Sequence, residues 1–191
     1  TRGAIQESIH VFIQQGLVAY LEPRALSSLQ VLEVGLGTGL NALLTYLTCS
    51  KLHKQVVYTG LEPFPITWVQ AQQLNYAAQL AQAPHGAGTL EDLNAVFAQL
   101  HQAKRESSHR LGNYFSLHVT KCKVEEFTAK PGTSDLIYYD AFAPSKQPEM
   151  WTQAALQCVH LLLQPGGMLV TYCAQGKFKR TLRQLGMYVE E

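Results

Sequence analysis

The chain has 191 residues, of which 47% are hydrophobic and 15% are charged, and its formal net charge is +1. This composition excludes an intrinsically disordered polypeptide and predicts a single globular domain over residues 1–191 with a sizeable core. The near-zero net charge gives no general indication of a polyanionic partner, and no apolar run reaches the roughly twenty residues that a membrane-spanning helix needs.

The first segment, "TRGAIQESIHVFIQQGL", mixes charged residues with periodic apolar ones and lacks the pattern of a secretory signal peptide. The chain begins without methionine and stops soon after a strand-like run, so we expect a domain that is truncated at both ends. A cytoplasmic location is the default expectation. The four cysteines form no C-x-x-C pair and have no histidine at metal-ligand spacing, so we expect reduced thiols and no metal site.

Strand-like runs alternate with helical segments along the chain, which predicts the α/β class, with a mostly parallel sheet and helices on both faces. Strands are predicted at 29–34, 56–61, 115–119, 136–140 and 168–172, and "GMYV" near the end is predicted to be one more. Helices are predicted over 41–48, 66–81, 90–104 and 151–163, with a loop over 84–88.

Three glycines occupy alternate positions in "LEVGLGTGLN", directly after the first predicted strand. A glycine loop between a strand and a helix turns backbone N–H groups toward a ligand. The dinucleotide fingerprint G-x-G-x-x-G needs a glycine where this chain has Leu40. The E-V-G-x-G-x-G spacing instead resembles motif I of class I S-adenosylmethionine methyltransferases, which implies that Glu33 faces the methionine end of that cofactor. A tight turn without a ligand is the alternative.

The second predicted strand ends in "GLEPF". A carboxylate offers two acceptor oxygens, so Glu62 could accept hydrogen bonds from both hydroxyls of a ribose. Because enzymes that use nicotinamide cofactors contain the same device, Glu62 favours a nucleoside cofactor without choosing between the two classes.

The segment "DLIYYDAFAPSKQPEMW" brings Asp140 to the carboxyl end of the fourth predicted strand, where open α/β sheets bind ligands. A carboxylate there could orient an amine toward a methyl donor or remove its proton, and the sequence leaves both roles open. The alternative is that Asp140 caps the following turn. Phe142 could stack on a base or fill the core.

Five segments together resemble the methyltransferase domain of the MnmC family, which modifies the wobble uridine of tRNA. They are "ESIHVFIQQGL", "LEVGLGTGLNALL", "LEPFPIT", "DAFAPSKQPEMWT" and "GGMLVTYCAQGKFKRTLRQLG". The resemblance implies a Rossmann-like class I methyltransferase fold with S-adenosyl-L-methionine as cofactor. It also implies methyl transfer to the primary amine of 5-aminomethyl-2-thiouridine in tRNA.

The same resemblance implies roles for individual residues. Asp140 falls beside the target amine, and Gln6 and Glu7 fall in an amino-terminal segment near the cofactor. The residues implied for the cofactor are Glu33, Gly35, Gly37, Gly39 and Glu62, and Asn41, directly after the glycine loop, is also predicted to bind it. Those implied for the substrate are Lys146, Lys177 and Arg180, and Phe142 is predicted as a further substrate-binding residue.

The chain also departs from the family. Lys123 stands where an acid that contacts the adenine amine is expected, and Glu125, Glu126 or a backbone group could replace that acid. Nothing resembles the flavin-dependent oxidase domain of the bifunctional relatives, so we expect a separate oxidase upstream of this reaction or a further domain beyond Glu191.

Residues 150–189 contain no acidic residue but include Lys177, Lys179, Arg180 and Arg183. This pattern fits either a solvated helix face or a phosphate-binding patch. Three alternative functions therefore accompany the leading one: a same-fold N-methyltransferase of a small amine, a nicotinamide-dependent oxidoreductase and a non-catalytic interaction module.

Overall fold

A six-stranded sheet forms the centre of the computed structural model, which describes residues 2–82 and 88–190. The strand order is β3-β4-β2-β1-β5-β6, and all neighbours run parallel except the antiparallel pair β3–β4. The predicted α/β class with a mostly parallel sheet is confirmed. The strands are β1 Ser28–Val34, β2 Gln55–Leu61, β3 Ser108–Leu111, β4 Phe115–Thr120, β5 Ser134–Tyr139 and β6 Leu163–Val170.

Helices cover both faces of this sheet. The α-helices are α1 Arg2–Ser8, α2 Ala19–Leu21, α3 Leu40–Leu52, α4 Trp68–Ala71, α5 Tyr76–Ala81, α6 Leu90–Gln102, α7 Gln153–Leu162 and α8 Gly176–Gln184. A π-helical segment, Ile9–Val18, joins α1 to α2, and 3₁₀ turns occupy Gln72–Leu74 and Pro148–Trp151. Within the described residues, no helix has both the length and the apolar character that crossing a bilayer requires.

Alternate strand residues face opposite sides of the sheet and enter two separate hydrophobic clusters. Leu136 and Tyr138 of β5 belong to the cluster that includes the amino-terminal helices, α3 and α6. Ile137 and Tyr139 belong to the cluster that includes α7 and α8. Both faces of the central strands are therefore buried, as a parallel sheet requires.

Threonine caps fix where several helices begin. Thr67, Thr89 and Thr152 each accept a hydrogen bond from the backbone N–H three residues later, at the starts of α4, α6 and α7. The predicted helix over 66–81 is two helices instead, because Asn75 adopts a left-handed conformation with φ 57° and ends the first one.

The structure differs from the sequence-based prediction at two places in the strand assignment. The short strand β3 was not predicted, and it pairs with β4 through a hairpin. The prediction of a strand at "GMYV" was wrong, because residues 187–190 have no regular secondary structure. Instead, Gly186 with φ 87° and the bond from the Met187 N–H to the Leu182 carbonyl close the end of α8.

The strand predicted at 168–172 corresponds to β6, which begins earlier, at Leu163, and pairs irregularly with β5. It pairs with β5 at Leu163 and again from Met168 onward, so the predicted turn over 164–167 projects from within the strand. Gly166, with φ 76°, allows this excursion. Residues 84–87 of the other predicted loop lie outside the described part of the chain.

The amino-terminal helical segment packs closely on the last two strands of the sheet. A Cβ atom on Gly16 would lie 3.1 Å from Val170 Cγ2 and 3.6 Å from Tyr138 Cε1. The Phe12 and Tyr138 rings pack with their centroids 5.3 Å apart. The first helices of the chain therefore lie directly against β5 and β6.

Candidate active site

The carboxyl ends of β1, β2 and β5 meet at one rim of the sheet. The backbone N–H groups of Gly35 and Leu36 both donate to the Leu61 carbonyl, at 3.0 and 3.1 Å. The Asp140 N–H donates to the Val34 carbonyl at 3.0 Å. Because parallel strands end at the same edge, the glycine loop, Glu62 and Asp140 become neighbours.

The three glycines of the loop all have positive φ, but for different reasons. A Cβ atom on Gly35 would meet the Asp140 carbonyl oxygen at 2.9 Å, so this glycine permits contact between two strand ends. Gly39 is the N-cap residue of α3, and a Cβ atom there would meet His101 Nε2 at 3.2 Å. A Cβ atom on Gly37 would have no neighbour closer than 3.8 Å. Gly37 therefore leaves an open, bare stretch of main chain that fits the close approach of a cofactor.

Glu62 is held in a defined orientation beside this loop. Its Oε2 accepts a hydrogen bond from the Gly37 N–H at 2.8 Å, and its Oε1 accepts one from the Phe64 N–H at 2.9 Å. A carboxylate oxygen can accept more than one hydrogen bond, so both oxygens can still receive a hydroxyl donor. This geometry fits the ribose-binding role implied for Glu62.

Glu33 is wholly buried, with 0% of its surface exposed. Its two carboxyl oxygens accept hydrogen bonds from the Tyr58 hydroxyl at 2.6 Å and from Asn41 Nδ2 at 2.9 Å. Burial, followed by the charge of Asp140, raises the pKa of Glu33 well above its ordinary value. Glu33 thus lies beneath the rim with no surface open to the cofactor, contrary to the role implied for it at the methionine end, and Asn41 separates it from Asp140.

Asp140 lies at the rim and is partly buried. Its Oδ2 accepts a hydrogen bond from Asn41 Nδ2 at 3.0 Å. Burial raises the pKa of Asp140 to about 7, the hydrogen bond from Asn41 opposes this rise, and the charge of Glu7 adds to it. At neutral pH, both the carboxylate and the carboxylic acid forms of Asp140 are therefore populated.

The loop after Asp140 presents the two residues of this region that are predicted to bind the substrate. Phe142 is 74% exposed, which excludes its alternative role as a core residue. Its backbone is fixed because its N–H donates to Gln147 Oε1 at 3.2 Å and its carbonyl accepts from Trp151 Nε1 at 2.8 Å. Lys146 is exposed on the same loop.

Helix α8 carries the remaining residues implied for the substrate. Lys177 and Arg180 are exposed, whereas Phe178 and Leu182 are buried against the sheet. The helix begins six residues after β6 ends, so its amino end lies on the same side of the sheet as the rim that bears Asp140. The basic residues form an exposed face of an amphipathic helix.

Sequence reasoning missed a histidine and an arginine beside Glu62. Arg105 and His101 line a shallow recess that Glu62 also borders. His101 Nε2 lies 3.1 Å from the Thr38 carbonyl oxygen, and Arg105 Nη1 is buried without a hydrogen-bond partner among the described residues. His101 lies in the last turn of α6 and Arg105 follows that helix, whose sequence indicates helical periodicity but no site.

The structure does not bring the expected adenine-binding acids to this recess. Glu125 and Glu126 are exposed, and Glu126 Oε2 accepts a hydrogen bond from the Lys123 N–H at 3.3 Å. The recess is lined instead by α6 and by the loop that follows Glu62.

Comparison with known proteins identifies the family of this chain. A family model described as S-adenosyl-L-methionine-dependent methyltransferase matches residues 88–191, more than half of the chain. The tRNA 5-methylaminomethyl-2-thiouridine biosynthesis bifunctional protein MnmC of Idiomarina loihiensis is 29% identical over 194 residues, which cover 98% of this chain and 32% of that protein. The protein of the same name from Magnetococcus marinus is 31% identical over 190 residues, covering 97% and 27%. The chain thus spans about three tenths of the length of these relatives.

Among solved structures, the crystal structure of MNMC2 from Aquifex aeolicus matches with a TM-score of 0.69. It is 22% identical and covers 97% of this chain and 56% of that one, so it supports the Rossmann-like class I fold alone. The resemblance to the MnmC methyltransferase domain is confirmed. The cofactor is therefore S-adenosylmethionine, and the alternative of a nicotinamide cofactor is wrong. The chain belongs to the S-adenosyl-L-methionine-dependent methyltransferase family.

Proposed function

We propose that this chain transfers a methyl group from S-adenosylmethionine to the primary amine of 5-aminomethyl-2-thiouridine at the wobble position of tRNA. The names of the similar proteins from Idiomarina and Magnetococcus support this substrate. The observation that carries the proposal is the position of Asp140, which is held by Asn41 at the rim and contacts the glycine loop through Gly35.

The residues at the rim fit the cofactor. The bare main chain at Gly37 permits close approach, and the fixed carboxylate of Glu62 would accept hydrogen bonds from the ribose hydroxyls. When bound, S-adenosylmethionine supplies an electrophilic methyl group on a sulfonium. The chain's contribution is to hold the amine nitrogen in line with that methyl group, because alignment at near-attack distance is the main requirement of the transfer.

Asp140 acts on the amine. A free alkylamine has a pKa near that of lysine, about 10, so it arrives protonated and must lose a proton before it attacks. The rise in the pKa of Asp140 from 3.8 to about 7 lowers the free-energy cost of moving that proton to the carboxylate by roughly 4 kcal/mol. After this transfer, the carboxylic acid of Asp140 holds the proton and the neutral nitrogen presents its lone pair.

Exposed residues around the rim would hold the tRNA. The Phe142 ring is free to stack on an unpaired anticodon base, which is a common mode of single-stranded RNA recognition. Lys146, Lys177 and Arg180 are exposed cations that would neutralise phosphates. The aminomethyl substrate would come from a flavin-dependent oxidase that acts upstream, either in a longer polypeptide or as a separate protein.

A substrate comparison tests the proposal. The chain would be incubated with radiolabelled S-adenosylmethionine and tRNA that carries 5-aminomethyl-2-thiouridine, and in parallel with the free nucleoside. We expect methylation of the tRNA with a kcat/KM at least about a hundredfold above that of the nucleoside, because phosphate contacts contribute to binding. Equal kcat/KM values, or methylation of the nucleoside alone, would contradict the tRNA substrate and favour the small-amine methyltransferase.

A further inference from the structure

Asn41 joins two carboxyl groups through a single nitrogen atom. Its Nδ2 lies 2.9 Å from Glu33 Oε1 and 3.0 Å from Asp140 Oδ2. A side-chain amide nitrogen carries two hydrogens, so each carboxyl group receives one. Asn41 is 2% exposed and lies in the first turn of α3, directly after the glycine loop.

The bridge continues into the core of the sheet. The Tyr58 hydroxyl donates to the other oxygen of Glu33, Oε2, at 2.6 Å. Tyr58 lies on β2 and Glu33 on the neighbouring strand β1, and both side chains are 0% exposed. A continuous series of hydrogen bonds therefore runs from Tyr58 through Glu33 and Asn41 to Asp140.

The other end of the Asn41 amide is unsatisfied. Its Oδ1 is buried and has no hydrogen-bond partner among the described residues. A buried, unpaired polar atom lowers stability, so each such exception in a folded protein calls for an explanation. The Asn41 side chain thus donates both of its N–H groups to carboxyl groups, while its carbonyl oxygen accepts no hydrogen bond from the described residues.

We propose that Tyr58, Glu33 and Asn41 are positioning residues that fix the Asp140 carboxyl group, with Oδ2 held by Asn41 and Oδ1 directed to the target amine. This inference rests on the proposed role of Asp140. Among the described residues, Asp140 Oδ1 receives no hydrogen bond, so it is the oxygen that remains for an amine. The hydrogen bond from Asn41 also favours the ionised form of Asp140, which is the form that accepts a proton.

Two phenol-to-phenyl variants test the series at its buried end. Tyr58→Phe removes the donor to Glu33, whereas Tyr138→Phe removes an equally buried hydroxyl whose partner is Thr45 Oγ1 at 3.2 Å. We expect Tyr58→Phe to lower kcat about tenfold with unchanged affinity for S-adenosylmethionine. We expect Tyr138→Phe to retain the wild-type kcat despite a similar drop in Tm. Equal kcat values for the two variants would overturn the positioning role.

Variants of Glu33 separate this inference from the proposed function. Glu33→Gln keeps an oxygen that can hold the Asn41 amide, so it should retain more of the wild-type kcat than Glu33→Ala. In a crystal structure of Glu33→Ala, we expect the Asn41 amide nitrogen to lie beyond hydrogen-bond reach of Asp140 Oδ2. An unchanged 3.0 Å contact would overturn the inference whatever the substrate is, whereas wild-type protein that fails to methylate the tRNA would contradict only the proposed function.

Discussion

Gly35 and Asp140 are in backbone contact, so that a Cβ atom on Gly35 would lie 2.9 Å from the Asp140 carbonyl oxygen. The glycine loop after β1 and Asp140 after β5 are therefore a single packed unit. Neither can move without displacing the other, because the contact joins main chain to main chain and no flexible side chain can relieve it.

This contact predicts different results for two glycines of the same loop. Both Gly35 and Gly37 have positive φ, so alanine at either position costs about 1–2 kcal/mol of conformational strain. Only Gly35→Ala adds a clash with Asp140, so we expect it to lower the free energy of unfolding by at least about 3 kcal/mol in urea denaturation. Equal losses for Gly35→Ala and Gly37→Ala would contradict the packed unit.

Replacing Asp140 with Ala should abolish most methyl transfer while the cofactor still binds. Removal of a general base or an orienting carboxylate typically costs about 10²- to 10⁴-fold in rate. We expect calorimetry to give an affinity for S-adenosylmethionine close to the wild-type value, because Glu62 and the glycine loop are intact. Wild-type turnover in Asp140→Ala would remove Asp140 from the reaction.

The raised pKa of Asp140 also predicts a dependence of stability on pH. The folded protein holds the Asp140 proton more tightly than the unfolded chain does, so this group favours folding below pH 4 and loses that effect as the pH rises through about 7. Asp140→Asn removes the titration. Its free energy of unfolding should exceed that of the wild type by on the order of 2–4 kcal/mol at pH 8, and the two should converge below pH 4. Parallel urea-denaturation curves across this range would contradict the pKa assignment.

Glu62→Ala should weaken binding of S-adenosylmethionine by about tenfold or more, because two charge-assisted hydrogen bonds to the ribose are lost. Glu106→Ala is a suitable control, since its carboxylate also accepts a backbone N–H, that of Lys121 at 2.8 Å, but does not border the recess. Calorimetric titration of both variants measures the difference. Unaltered affinity in Glu62→Ala would reject the ribose role.

Changing Lys177 and Arg180 together to Ala should weaken tRNA binding. The slope of log K against log salt concentration should become shallower by about one to two units, because fewer counterions are released. A matched control is the pair Lys51 and Lys130, which are exposed elsewhere on the surface. A salt slope equal to that of the wild type would identify the basic face of α8 as a solvated surface only.

The positions of Glu62 and Asp140 could be predicted because the sheet is parallel. Each acid follows an apolar run directly, and the carboxyl ends of parallel strands share one edge, so two local patterns define one site. The glycine loop could be predicted in the same way, because its alternate glycines directly follow the apolar run of β1. For these residues, the order of strands and helices along the chain was sufficient to predict that they lie close together.

The rest of the site depends on contacts between distant segments. Tyr58 looked like an ordinary strand residue, and only the pairing of β1 with β2 brings its hydroxyl to Glu33. Arg105 follows a helix with simple amphipathic periodicity, and its place beside Glu62 depends on how α6 packs. The strand predicted at "GMYV" failed because a glycine helix cap and a strand turn have similar sequences, and the cap of α8 prevailed.

The packing of Gly16 against Val170 has a consequence for how the protein folds. These residues lie near opposite ends of the described chain, so this part of the packing of the amino-terminal helices forms only after β6 has joined the sheet. Contacts of such high sequence separation slow folding. Because the charge of Glu7 on the first helix contributes to the raised pKa of Asp140, the same long-range packing also completes the electrostatic environment of the rim.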